Sequence, residues 1–230
     1  VDLAVCARVE GVEGDFVETG VFKGGTAMLM KMALDACVDG VPPLKGGAAP
    51  LWLFDSFDGL PESSGKLDLT FGRYMGRGQR QVMARTAFAR GRYNASYEKF
   101  VADFGQVAFG DPERGAAFAH GDRGEVKVHK GWFNETLPTA PVEKISFLRL
   151  DGDVYSSTWD GLVNLYPKVV DGGYVYLDDY GSFAGCQRAT DKYRAEHNIS
   201  EPMHKVKELR KNRDGGVMYE AVWWKKGSRE

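Results

Sequence analysis

Long apolar runs are missing from this chain of 230 residues, and no stretch approaches the roughly 20 residues of a bilayer-spanning helix. Cysteine is scarce: Cys6, Cys37 and Cys186 are odd in number and widely spaced. That fits neither a disulfide framework nor a zinc pattern and suits a reducing compartment such as the cytoplasm. No sign of charge dominates, since 30 basic residues face 32 acidic ones for a net charge of −2. Global charge therefore selects no partner, and neither nucleic acid nor a membrane is expected. Two phosphate-binding signatures are absent as well. Gly20, Gly24 and Gly25 do not make G-x-G-x-x-G, and no Lys-Ser/Thr ending follows them, so dinucleotide and triphosphate binding lack a motif. The chain opens at Val1 rather than Met, without a signal-peptide pattern, which leaves room for residues upstream.

What is present is chemistry at the ends of strands. Residues 145–181, ISFLRLDGDVYSSTWDGLVNLYPKVVDGGYVYLDDYG, read as strand, helix, strand. The apolar run 145–150 ends at Asp151 and Asp153. Residues 158–165 put Trp159, Leu162, Val163 and Leu165 on one helical face, and 174–177 form a second apolar run ending at Asp178 and Asp179. Such a βαβ unit crosses over right-handed and lays its strands parallel, with both ending at the same sheet edge. Turn propensity explains any one of these Asp residues. Four together repel one another and call for a cation. With oxygen donors and no Cys or His in the cluster, that cation is a hard one, Mg²⁺ before Ca²⁺ or Mn²⁺.

The rest of the chain fits one α/β domain over 1–230. Residues 14–20 form a first strand, and a glycine-rich turn feeds a helix over about 26–38 with Met28, Leu29, Met32, Ala33 and Ala36 as its buried stripe. A second strand, 51–54, ends at Asp55, the position at which an acidic residue commonly binds ribose hydroxyls; Asp58 reads as a turn residue. Residues 63–125 are too long for a simple crossover and predict an insertion or lid with extra helix. Within it, six arginines and no acidic residue lie between Arg73 and Arg92, either a solvated face or a cover that favours an anionic acceptor. A third strand, 126–129, leads to Trp132 and Phe133, which serve either as core or as stacking surfaces for a flat ring. A helix over 185–197 carries Cys186, Ala189 and Tyr193 on one side and His197 in a structural place at its end. Two strands, 204–209 and 217–224, close the sheet.

GDFVETGVFKGGT, LFDSFDGLPE, HKGWFNETLPTAP, LRLDGDVYSSTWDGLVNLYPK and GGYVYLDDYGSFAGCQRATDKYRAEHNI together resemble the macrocin O-methyltransferase (TylF-type) family of class I S-adenosylmethionine-dependent methyltransferases. The resemblance implies a Rossmann-like, mostly parallel seven-stranded sheet with helices on both faces. It implies S-adenosylmethionine and Mg²⁺ as cofactors. Asp151, Asp178 and Asp179 match the metal ligands, and Asp153 the general base. Glu18, Thr19, Gly20, Gly24, Gly25 and Thr26 match the cofactor loop, Asp55 and Ser56 the ribose edge, and Trp132 and Phe133 the border of the adenine, with Asp151 on both the cofactor and catalytic sides. Phe22 and Lys23 replace the usual Trp and Arg, and the helices that relatives carry before the first strand are represented by a short leader.

The implied reaction is Mg²⁺-dependent O-methylation of a vicinal diol on a small hydroxylated acceptor, a sugar or glycosylated natural product. Three alternatives stand beside it: a metal-dependent phosphotransferase or hydrolase, a module that binds cofactor or partner without turnover, and an O-methyltransferase for a catechol-type or anionic acceptor. Monomer and homo-oligomer both fit the sequence.

Overall fold

A strand sends successive side chains to opposite faces, and here the strands are apolar on both, the pattern of a sheet covered on two sides. A computed structural model describes residues 2–35, 50–68, 90–109, 126–211 and 217–227. Strands β1 (Asp15–Thr19), β2 (Leu51–Asp55), β3 (Val126–Lys130), β4 (Ile145–Leu150), β5 (Val169–Leu177), β6 (His204–Lys211) and β7 (Val217–Lys225) form one seven-stranded sheet. Their order is β3-β2-β1-β4-β5-β7-β6. β7 runs antiparallel to β5 and β6, and the other pairs are parallel. The mostly parallel α/β sheet expected from the sequence is the one found.

Two apolar layers follow from the alternation. Phe16, Leu53, Phe147 and Tyr174 pack on one face against helices α1 (Asp2–Val9), α2 (Gly25–Asp35) and α3 (Tyr97–Phe109). Val17, Phe54, Leu148, Val175 and Trp224 pack on the other, against the short helix α4 (Phe133–Thr136), α5 (Tyr155–Leu165) and α6 (Ala184–Glu196). Each large side chain fully buried this way stabilises the fold by about 1.5–3 kcal/mol.

The differences from expectation have local causes. α2 buries Ala27, Met30, Ala33 and Leu34, while Leu29 and Met32 of the expected stripe are 45% and 58% exposed. Residues 26–34 are apolar almost all round, so two faces satisfy helical spacing and only tertiary packing chooses between them; Ala36 lies outside the described residues. β5 begins five residues before its expected start, because a register shift opposite Ile145 and Phe147 and a positive φ of 81° at Gly172 keep the Asp171-Gly172-Gly173 stretch in the strand. His197 caps α6 with its ring stacked 4.0 Å from that of Tyr193, a structural place. Of the region 63–125, α3 is the extra helix foreseen. The arginine run, apart from Arg90 and Arg92, lies outside the described residues.

α5 starts at Tyr155, three residues early, and Val163 of its expected buried face is 42% exposed. Its N-cap residue, Val154, makes no side-chain cap. The cap comes from Asp68, 87 positions away, whose Oδ1 accepts the Tyr155 N–H at 2.7 Å. The other carboxylate oxygen accepts from the Ser64 N–H at 2.6 Å and the Ser63 hydroxyl at 3.2 Å. Residue 185 must be glycine here, because a Cβ would come within 2.0 Å of the Asp68 carboxylate. Asp68 is fully buried, so Asp68→Ala strands two backbone N–H groups, each worth about 1–3 kcal/mol. We expect a loss of about 2–4 kcal/mol in urea denaturation, with Asp68→Asn recovering part of it.

Candidate active site

β2 and β3 lie to one side of β1, and β4 and β5 to the other, so the chain changes direction between β1 and β4. In an open α/β sheet the crevice outside such a switch point is where ligands bind. Here the two strand ends touch. The Asp151 N–H donates to the Thr19 carbonyl at 3.0 Å, and Gly20, at φ 85°, lies so close that a Cβ would meet the Asp151 carbonyl oxygen at 1.7 Å. Above them opens a cavity of about 630 Å³, within the range of small-molecule and cofactor sites.

One end of the site is acidic, and strand register explains its layout. Glu18, Arg149 and Tyr176 are direct neighbours across β1, β4 and β5, on the face covered by α1–α3. Arg149 is 8% exposed. Nη1 lies 2.8 Å from Glu18 and 2.7 Å from Asp151, and Nη2 lies 3.0 Å from Asp178. The two adjacent aspartates, just past the end of β5, differ in their partners. Asp178 pairs with Arg149, while Asp179, 4% exposed, lies against Asp151 and accepts the Asp153 N–H at 3.2 Å. One oxygen each from Asp151, Asp153 and Asp179 lies within 4.8 Å of the others. Asp153 holds a left-handed backbone, φ 56°, a strain that clusters at functional sites.

Five carboxylates share this region with one guanidinium. Burial pushes Glu18 up to about 8, against the pull of Arg149, and one of its oxygens has no hydrogen-bond partner. Burial and then the Asp151 charge push Asp153 up to about 7. Asp179 is raised by burial and then by Asp153, and Asp151 by burial against the opposing pull of Arg149. The Arg149 guanidinium is held charged by Asp151, Glu18 and Asp178, which outweigh its burial. One cation cannot neutralise these acids, so the cluster retains protons or takes a further cation. The donor set fits Mg²⁺, being three hard carboxylate oxygens within 4.8 Å of one another.

The other end is aromatic. Phe22, Tyr93 and Trp132 line it together with Gly20, Asp55 and Ser56, and Phe133 reaches from it toward Gly152. Asp55 accepts three backbone N–H groups, from Val21 and Phe22 at 2.7 Å each and from Phe57 at 2.6 Å. Phe22 and Phe57 both sit at positive φ, so this carboxylate clamps two strained turns while it faces the cavity. Its pKa is raised by burial, against those three donors. The Ser56 hydroxyl is committed to its own turn, donating to the Gly59 carbonyl and accepting from the Asp58 N–H.

Of the residues expected from the sequence, Gly20, Asp55, Ser56, Trp132, Phe133, Asp151, Asp153, Asp178 and Asp179 line one cavity. Glu18, Thr19, Gly24, Gly25 and Thr26 do not. Glu18 and Thr19 are buried in β1, and Gly24 packs against Phe100, whose ring a Cβ would meet at 2.6 Å. Arg149, Ser156, Asp160 and Glu220 were missed. Arg149 had a signal, a charge inside an otherwise apolar strand, which demands buried partners. Glu220 had none, because β7 reaches the site only through the sheet order.

The macrocin O-methyltransferase (TylF) family matches the chain over residues 2–110 and 116–225. Demethyldecarbamoylnovobiocin O-methyltransferase of Streptomyces niveus is 34% identical over 215 residues, 94% of this chain and 67% of the relative. A Streptomyces olivaceus 4'-O-methyltransferase named for a 2,3-dimethoxy-α-L-rhamnosyl tetracenomycin is 34% identical over 197 residues, 86% of this chain and 64% of the relative. The chain thus spans about two thirds of the length of these relatives. The solved structure of the O-methyltransferase NovP superposes with a TM-score of 0.68 at 31% identity, covering 99% of this chain and 78% of that one.

The raised acids set a pH dependence. Glu18 and Asp153 bind protons more tightly folded than unfolded. Their contribution to stability is therefore complete below about pH 4, their unfolded range, and is lost as pH rises through 7 and 8. In metal-free buffer we expect the melting temperature to fall between pH 5 and 8.5, with a slope of up to about 1.4 kcal/mol per pH unit for each proton involved. Added Mg²⁺ should flatten that slope in differential scanning calorimetry, and a metal-free protein equally stable across the window would contradict the assignment.

Proposed function

The chain belongs to the macrocin O-methyltransferase (TylF) family, and on that premise we propose that it methylates a sugar hydroxyl, with S-adenosylmethionine as donor and Mg²⁺ at the acidic end of the cavity. The observation that carries this reading is the joining, in one cavity at the switch point, of an aromatic end holding Asp55 with an acidic end holding Asp151, Asp153 and Asp179.

The chain's own groups divide the work. Trp132 and Phe133 offer flat faces to a base, and Asp55, fixed by three N–H donors, keeps lone-pair capacity for ribose hydroxyls. Asp151 and Asp179 would hold the cation. Asp178, the third ligand implied by family resemblance, rests on Arg149, while Asp153 lies nearer the other two. Bound there, Mg²⁺ supplies Lewis acidity and a template for two neighbouring acceptor oxygens. Asp153, the carboxylate beside these two, is placed to take the hydroxyl proton. Holding donor and acceptor in line contributes on the order of 7–11 kcal/mol to such a transfer.

The acceptor is a sugar hydroxyl with an oxygen on the next carbon, in the simplest case a vicinal diol. The rhamnosyl acceptor in one relative's name, methylated at 4', carries its neighbouring 3-oxygen as a methoxy group. Eight lining residues bear carboxylates and, among the described residues, none bears a basic group, which favours a neutral acceptor over an anionic one.

Calorimetry with S-adenosylhomocysteine tests the cofactor site directly. The wild type should bind it, and Asp55→Asn should bind about tenfold more weakly. No binding by the wild type would overturn the reading. Asp179→Asn should weaken Mg²⁺ binding by about tenfold or more and abolish turnover. Asp153→Asn should lower kcat by about 10²–10⁴ with Mg²⁺ affinity within about threefold. Equal losses of Mg²⁺ in both variants would make Asp153 a ligand instead of the base.

A further inference from the structure

Of the polar side chains lining the cavity that cofactor and cation leave over, two share one helix face. Ser156 and Asp160 lie four positions apart on α5, on one face of the helix, and both line the cavity. The opposite face, with Thr158, Leu162 and Leu165, is buried, so packing accounts for that face and not for this one. Neither the Ser156 hydroxyl nor the Asp160 carboxylate has a partner among the described residues; the bond from Asn164 Nδ2 goes to the Asp160 backbone carbonyl at 2.8 Å. The Asp160 carboxylate is partly withdrawn from water, and burial alone raises its pKa. A half-buried carboxylate without a protein donor keeps its lone pairs available for a ligand's donors.

Their position points to the acceptor. α5 begins just after Asp153, and Ser156 to Asp160 advances about 6 Å along the helix axis away from it, comparable with the breadth of one sugar ring. The cofactor residues Asp55, Trp132 and Phe133 come from β2 and the β3–α4 junction, elements other than α5. Phe183, at the start of α6, lines the same cavity and offers an apolar face for the carbon side of such a ring.

We propose that Ser156 and Asp160 form the acceptor subsite. Asp160 accepts hydrogen bonds from two ring hydroxyls other than the reacting one, and Ser156 bonds a third polar group, so that the ring is turned with its reacting hydroxyl toward Asp153. The ligand class is a neutral polyhydroxylated ring, because an anionic acceptor would meet the Asp160 charge. The inference rests on the methyl-transfer reading above.

The test uses methyl α-L-rhamnopyranoside as the probe, with the full chain saturated in S-adenosylhomocysteine and Mg²⁺. Titration followed by saturation-transfer NMR should show the glycoside binding the wild type, about tenfold weaker binding by Asp160→Ala, and a smaller loss for Ser156→Ala. Affinities for S-adenosylhomocysteine and Mg²⁺ should stay within about twofold in both variants. A probe with a carboxylate in place of the rhamnoside methyl should bind the wild type more weakly, and Asp160→Asn should narrow that gap. Unchanged glycoside affinity in Asp160→Ala overturns the subsite and leaves the methyl-transfer reading standing. Loss of cofactor affinity in step with glycoside affinity overturns it too, by making Asp160 structural. A wild type that binds cofactor but no glycoside overturns the assigned ligand class, and one that binds no cofactor brings down the methyl-transfer reading itself.

Discussion

One guanidinium, that of Arg149, joins three strands at the edge where the cavity opens. It reaches Glu18 on β1, Asp151 at the end of β4 and Asp178 at the end of β5, each within 3.0 Å. Buried ion pairs add little stability on balance, because desolvation offsets attraction, yet removing one partner leaves an uncompensated charge. What Arg149 secures is therefore geometry more than stability. With it in place, β1, β4 and β5 must end at one level, and the Asp151 and Asp178 carboxylates are pinned on its side. Asp153 and Asp179 are left to face each other without a cation of their own among the described residues. The protein thus neutralises one part of an acidic cluster internally and leaves the other part to protons or to a metal.

That division explains why the fold was more legible in the sequence than the details of the site. Apolar runs ending in Asp, with helical spacing between them, are local signals, and they located β2, β4, β5 and the sheet edge that carries the site. The same strands hid Arg149, because a run that is apolar but for one charge still reads as a strand. Asp178 and Asp179 show a second limit. Adjacency in sequence does not tell their surroundings apart: Asp178 pairs with Arg149, while Asp179 is buried and accepts the Asp153 N–H. α2 shows a third. Its segment is apolar around most of its circumference, so periodicity could not select the face that packs on β1 and β2.

Ser156, Asp160 and Asp68 were invisible for a different reason. Each becomes informative only through what it touches or fails to touch. Asp68 looks like an ordinary turn residue until its carboxylate is found capping a helix 87 positions away. Asp160 looks like a solvated helix residue until it is found lining a cavity without a partner. Long-range partnership and its absence are properties of the packed chain, and no spacing rule reports either.

These observations meet on α5. Its first turn follows closely on Asp153 and carries Ser156, its second carries Asp160, and its N-terminus is fixed by a carboxylate from the segment that enters the region between β2 and β3. The orientation of Asp153 and of the free side chains on α5 is thus set by the same buried contact. Arg188 of α6 adds a second tie, donating to the Lys66 and Leu67 carbonyls at 2.8 Å each. The segment that departs most from a simple βαβ plan is anchored to the helix that carries the proposed acceptor groups, while Asp55 and Arg149 fix the cofactor and metal ends from the sheet. An acceptor-facing helix braced by a loop, over a cofactor end braced by strands, lets residues 63–67 change while Asp68 holds the start of α5 in place. Variation in acceptor among proteins of this architecture would then be expected to concentrate in that loop and on α5, where a substitution moves the ring relative to Asp153 and spares the cofactor and metal ends.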